Sequence, residues 1–385
     1  MKKEDITGIL VYALIVALAV IFGLNVLKEH AYNSGLGNMY ILFILGALTT
    51  GILFNAILYE LAHILGAKLG GYQVLSVNIL GLMFSSPLLN GKRFKFKGYD
   101  GLTGETKIVP KENLEKEANP KPYLLMGTLF FVVEFIICFF SFNILIQLEN
   151  TSLVNLGYFL LVVGTIGGLI LFYNILPFKL DSITDGYRLT KTSGAANRAA
   201  FNELLRIEYA TLTGSTYTPK NETVAQVVTK TNFSGDIKLN DVYLALEVKD
   251  YEKALVTIEE ILSDNKITNK VYIRAKAQKI YIYLLTKSLQ EAQEFYDKEV
   301  PVAERREISN DVSMACIRAY ILMAGLLDKS RSETVLAADR VIKAYKKTDK
   351  NQRKIETILY NDAVKKVIEA HPSWELENYL LIELN

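Results

Sequence analysis

Five residues inside a long apolar run, Tyr59-Glu60-Leu61-Ala62-His63, have the types and spacing to do chemistry. A carboxylate and an imidazole three residues apart lie on one face of a helix. They make up the second half of H-E-x-x-H, in which two imidazoles one turn apart bind zinc and the glutamate serves as general base. Position 59, where the first imidazole would stand, is tyrosine. Ionisable groups within a membrane helix are costly and rare, so they are functional candidates by default. The plain alternatives stay open beside the chemical ones. His63 can be a structural histidine with satisfied hydrogen bonds, and Glu60 a buried, protonated carboxyl.

A second cluster runs from Asn174 through Leu176-Pro177 to Asp181, Asp185, Gly186 and Tyr187. Either Asp181 or Asp185 can swing back toward Glu60 and His63 as an oxygen ligand, although Asp185-Gly186 by itself is only a turn signal. The remaining donors are few. The chain has three histidines (His30, His63 and His371) and two cysteines, Cys138 and Cys316, read as reduced thiols outside any disulfide or metal framework. Glu134 either neutralises a partner within the helix bundle or is protonated and hydrogen-bonded. Asn55, Asn143 and Asn174 read as interhelical hydrogen-bond contacts.

The elements that must position these groups are apolar helices. Half of the 385 residues are hydrophobic and the net charge is +2, which points to a membrane protein with a polar part and excludes nucleic-acid binding driven by bulk charge. Spans are expected at 6–27, 39–66, 122–147 and 153–176, each long enough for a bilayer core of about 30 Å. The first is read as a retained anchor, because Lys28-Glu29-His30 follows it instead of a cleavage site. The connection 67–121 carries the basic cluster Lys92, Arg93, Lys95 and Lys97. Its stretches Tyr72–Val77 and Arg93–Phe96 predict a small β-element. Positive charge places that connection and both termini in the cytoplasm. The second and fourth spans then end on the same side, bringing Glu60 and His63 toward the residues after Pro177.

From about 195 the composition becomes that of a soluble helical domain. Apolar residues recur at helical spacing in 251–258 and 275–285, and further pairs are expected at 312–327 and 333–345. Helix pairs every thirty-odd residues fit a tetratricopeptide-like solenoid, and an ordinary helical bundle fits nearly as well. The division expected is therefore a membrane-embedded domain at 1–194 and a cytoplasmic α-helical domain at 195–385.

On these residues the chain resembles the site-2 protease family of intramembrane zinc metallopeptidases, over roughly 39–190. Four features follow the family's order: Glu60-x-x-His63 with Ala67 and Gly70-Gly71; the basic, glycine-containing connection with Gly98-Tyr99; Met126-Gly127-Thr128 opening a span; and Asn174-x-Leu176-Pro177 leading to Asp-Gly. The resemblance implies zinc, with His63 and Asp185 as ligands, Asp181 as the second choice to Asp185, and Glu60 as the base that activates water. It also implies a substrate that is a membrane-anchored peptide or protein. Tyr59 departs from the pattern, Thr128 stands where the family has proline, and no asparagine lies near Val132. A phenol, with an ordinary pKa of about 10, is a weak zinc ligand at neutral pH. Two readings result. In one, a protease-like scaffold has impaired or lost proteolysis, still holds a membrane helix and offers its C-terminal helical domain to a cytoplasmic protein partner. In the other, an active zinc protease uses Tyr59, His63 and Asp185 as ligands. The short connections suit a bacterial cytoplasmic membrane, and a transporter subunit has less support because no inverted repeat is visible.

Overall fold

A computed structural model describes residues 3–89, 93–98, 103–112, 117–177, 184–215, 231–264, 267–348 and 350–382. The chain divides into two compact units, Met1–Arg198 and Ala199–Asn385. It is mostly helical, with one small antiparallel sheet. Four helical segments are long and apolar enough to cross a membrane: Ile9–Asn33, Gly37–Leu69, Pro120–Leu145 and Thr151–Ile175.

In the first unit, α1 (Lys3–Phe22) continues through a π-helical turn, Gly23–Leu27, into α2 (Lys28–Asn33). The wide turn carries the helix past Lys28, so the segment ends later than hydropathy alone places it. Helix α3 (Tyr40–Leu69) is the longest, at 30 residues. Its small residues Ala47, Gly51, Ala56 and Ala62 are buried, whereas Ile41, Leu45, Ile52 and Leu61 lie at least half exposed. That pattern fits a helix packed on one side and bathed in an apolar phase on the other. Helices α4 (Pro120–Leu145) and α5 (Thr151–Ile175) pack against each other and against α3. Asn119 and Asn150 cap their N-termini through side-chain oxygens.

Between α3 and α4 lies a four-stranded sheet of order β3-β2-β1-β4: β1 (Tyr72–Ile79), β2 (Leu82–Ser85), β3 (Phe94–Phe96) and β4 (Gly104–Pro110). Ile79 pairs with Leu82 across the two-residue turn Leu80-Gly81, and both turn residues have positive φ. That is the primed geometry favoured by strand twist. Asn78 holds the turn by accepting from the Gly81 amide at 2.9 Å and donating to the Lys97 carbonyl at 2.8 Å. The sheet is larger than the sequence predicts: β2 (Leu82–Ser85), which carries no strand alternation, and β4 (Gly104–Pro110), which pairs along β1, both lie outside the expected stretches. A short helix, α6 (Asp185–Lys191), follows α5.

The second unit is a layered array of helices. Helix α7 (Ala195–Thr213) leads into it. The array continues with α8 (Ser234–Glu247), α9 (Tyr251–Leu262), α10 (Asn269–Thr286), α11 (Leu289–Glu299), α12 (Val302–Asn310), α13 (Met314–Leu322), α14 (Arg331–Lys347) and α15 (Lys350–Ala370). Side-chain caps at Asp250, Thr268, Ser288, Ser313 and Ser330 define sharp helix starts. A continuous apolar core centres on α10, α13 and α15 through residues such as Ile280, Tyr281, Ile317, Ile321, Leu359 and Val364. Inside it the fully buried Arg318 bonds Glu356, donates to Gln278 at 2.9 Å and lies over the Tyr243 and Tyr281 rings. Cys138 and Cys316 are both buried free thiols.

Removing one partner of a buried ion pair strands the other charge, at a cost of about 3–5 kcal/mol, whereas an apolar replacement of both is close to neutral. Arg318→Met should therefore destabilise the chain strongly in chemical denaturation, and Arg318→Met with Glu356→Leu should recover most of the loss. Equal losses in the single and double variants would show that the ion pair is not the controlling interaction.

Candidate functional site

The candidate site is built on the last turns of α3. Residues four apart share a helix face, and Asn55, Tyr59 and His63 follow that spacing, all buried. The Tyr59 ring occupies a slot on α4 where Gly127 has no side chain; a Cβ there would overlap the ring. Phe131, one turn further, stacks on Tyr59 with centroids 5.4 Å apart, and the His63 ring meets it edge-on at 4.4 Å. Gly127, which the sequence marks only as part of a span-opening motif, is therefore the glycine that admits the tyrosine.

Asp185 reaches the same point from α6. Thr184 caps this helix by accepting from the Tyr187 amide and ties it to α5 by donating to the Leu176 carbonyl at 2.7 Å. A Cβ on Gly186 would overlap the Ile175 carbonyl, so the Asp-Gly pair marks a close helix approach. Asp185 is buried, and its Oδ2 receives the Tyr59 hydroxyl and lies 3.2 Å from His63 Nε2. The other ring nitrogen, Nδ1, is 2.9 Å from the Tyr123 carbonyl. Both His63 nitrogens face oxygens that only accept, so the ring in this arrangement is a doubly protonated imidazolium paired with a carboxylate.

Glu60 faces away from this group, toward the sheet. Thr106 donates to Oε2 at 2.6 Å and Thr103 to Oε1 at 3.3 Å. Tyr123 joins the two halves: its carbonyl serves His63, and its hydroxyl donates to the Thr106 carbonyl at 2.8 Å. Thr103, Thr106, Tyr123 and Arg188 are site residues that sequence reasoning missed. Their contacts span tens of residues, and none belongs to a local motif. Burial opposes the charge of Arg188, but Tyr123, Asp185 and Glu105 around it raise its hold on the proton. Burial likewise works against the Asp185 charge, yet His63 and Arg188 draw its carboxyl below the usual range.

The structure therefore brings Tyr59, His63 and Asp185 together and sets Glu60 beside them on a different partner set. Asp181 lies outside the described residues. No other histidine can complete the group. His30 stacks on Tyr158 and contacts Asn155 at 2.8 Å, near the first turns of α5, whereas the site gathers at its last turn. His371 belongs to the second unit, where Nε2 lies 3.0 Å from the Gly325 carbonyl. Among the described residues no group of three or more His, Cys, Asp or Glu side chains is disposed to hold a metal ion. The donor set does not fit a catalytic zinc ion. Tyr59 and His63 both point protons at one Asp185 oxygen, so the three groups close on one another and leave no open coordination position.

Comparison with known protein families, curated proteins and solved structures finds no match to this chain.

Because the folded Asp185 carboxyl titrates below its ordinary value of about 4, its contribution to stability is complete above that pH. It is lost as the pH falls further, through the lowered folded value. Thermal unfolding in detergent should show a steep loss of stability below about pH 4 in wild type and a shallower one in Asp185→Asn. Identical acid profiles would show that Asp185 carries no linked proton.

Proposed function

We propose that this chain is a site-2-protease-like integral membrane protein in which a hydrogen-bonded lock replaces the zinc centre and intramembrane proteolysis is lost. The observation that carries this reading is the Tyr59 hydroxyl bonded to the same Asp185 oxygen that faces His63. A tyrosine in the place of the first motif histidine supplies a proton where the family supplies a lone pair. That hydrogen bond occupies the carboxylate oxygen that would otherwise bind metal. Glu60, held by Thr103 and Thr106, is then a strut between helix and sheet instead of a general base.

In this reading the first unit crosses the membrane four times with both termini cytoplasmic, as Lys2 and Lys3 before the first span and the basic residues of the β-connection favour. It holds a membrane-anchored peptide or protein without cutting it. The second unit is a cytoplasmic, tetratricopeptide-like module whose stacked helices recruit a protein partner. Support for the module comes from successive short helices joined by tight, capped turns around a common core.

The test is the zinc content of the purified full-length protein in detergent, for wild type, Tyr59→His and His63→Ala. The lock predicts negligible zinc in wild type and His63→Ala, and near-stoichiometric zinc in Tyr59→His, where a second imidazole joins His63 and Asp185. Stoichiometric zinc in wild type that disappears in His63→Ala would overturn the lock and make Tyr59 a phenolate ligand of an active centre. A Tyr59→His variant without zinc would remove the claim that a metal cradle underlies the lock.

A further inference from the structure

One turn before Tyr59 along α3 is a second buried polar group that the site does not use. Asn55 is fully buried, and Glu134 of α4 is 7 % exposed. Both point into the space left by Gly167 of α5, where a Cβ would overlap the Glu134 carboxyl and lie against Asn55 Oδ1. Helices α3, α4 and α5 thus meet at three residues: an amide, a carboxyl and a glycine.

Hydrogen-bond bookkeeping assigns the proton. The Asn55 amide nitrogen donates to the Gly51 carbonyl at 2.8 Å and to the Val163 carbonyl at 3.0 Å, which takes up both of its hydrogens. Flipping the amide would set its oxygen against those two carbonyls, so the orientation is determined. The atom left facing Glu134 is Oδ1, an acceptor. Asn55 Oδ1 and both carboxyl oxygens of Glu134 lack a donor. Oxygen acceptors this deeply buried are not left facing each other, because the unmet desolvation is large. One proton on the carboxyl resolves the conflict.

We propose that Glu134 and Asn55 form an intramembrane proton-binding site in which Glu134 is protonated at neutral pH and donates to Asn55 Oδ1, clamping α3, α4 and α5 together over Gly167. The surroundings suit a neutral carboxyl. Facing it, α3 presents Asn55 and, a turn away, Tyr59; α5 presents Gly167 and contains no acidic or basic residue; the nearest titratable group on α4 is Cys138. The stem of Glu134 also lines an apolar cleft of about 570 Å³ between these helices, walled by Phe54, Leu58, Leu129, Val133 and Phe159. Loss of the proton would set a carboxylate against the amide oxygen and drive α4 away from α3, widening that cleft. The clamp is therefore a switch with one proton as its ligand.

Infrared difference spectra of the full chain in lipid nanodiscs, wild type minus Glu134→Gln, read the protonation state directly. The glutamine retains a donor to Asn55, so the variant should fold as wild type does. At neutral pH the difference should contain a protonated carboxyl carbonyl band, and Asn55→Leu, which removes the acceptor, should move that band to higher frequency. A second comparison, in sodium against choline salt at equal ionic strength, should leave the band unchanged. A difference containing carboxylate stretches and no carboxyl band overturns the proposal, as does a band unmoved by Asn55→Leu. Loss of the band in sodium alone would replace the proton with a metal cation. Should Glu134→Gln fail to fold, ¹³C-labelled glutamate in wild type and Asn55→Leu gives the same reading.

Discussion

The first unit depends on one buried carboxylate. Asp185 lies beyond the last apolar helix, and its Oδ2 meets two side chains of α3, the Tyr59 hydroxyl and the His63 imidazolium. A buried anion is tolerable only when its oxygens are matched by donors and compensating charge. Tyr59, His63 and Arg188 supply these from two different elements. Each of those groups is constrained in turn: Tyr59 by the Gly127 slot and Phe131, His63 by the Tyr123 carbonyl, and α6 by Thr184 and Gly186. Displacing any one leaves a charge or a hydrogen-bonding group without a partner in an apolar setting.

Helix α3 serves as the platform because its polar residues divide between two directions. Asn55, Tyr59 and His63 form a file at four-residue spacing that faces α4, α5 and α6. Glu60, one position round the helix from Tyr59, faces the sheet, where two threonines satisfy both carboxyl oxygens. The sheet is thereby tied to the helix through a carboxyl instead of through apolar contact alone, and Tyr123 closes the loop from the side of α4. In the file, Asn55 with Glu134 and Tyr59 with Asp185 use the same device one turn apart: a proton placed between two oxygen-bearing groups.

Much of the fold was legible in the sequence, for a simple reason. An apolar run of twenty or more residues satisfies its own backbone only as a helix, so four apolar helices are read from hydropathy, with ends displaced by a few residues. The first apolar segment ends at Asn33 rather than at Leu27 because a π-turn, which has no hydropathy signature, carries the helix through Lys28. Strand β2 escaped because Leu82–Ser85 lacks alternation and is recognised only by its pairing with β1. In the second unit, apolar spacing marks the helices around 251–258, 275–285, 312–327 and 333–345, whereas Arg318, an arginine at the centre of an apolar core, has no such signal. Its tolerance rests on Glu356, Gln278 and two tyrosine rings drawn from three other helices.

The sequence by itself determined the candidate residues and the anomaly among them: Glu60 and His63 one turn apart, a tyrosine where a second imidazole would stand, and two aspartates after Pro177. These are properties of residue type and local spacing, which a linear chain displays. Which partners those residues meet was decided by tertiary structure alone. Asp185 faces Tyr59 and His63 because α6 packs against the end of α5 at Gly186. Glu60 faces threonines because the sheet folds back along α3. Glu134 faces an amide oxygen because Gly51 and Val163 have already taken the amide hydrogens. Hydrogen bonds saturate and have direction, so the protonation and role of each group follow from its neighbours in space, and those neighbours are distant in the chain.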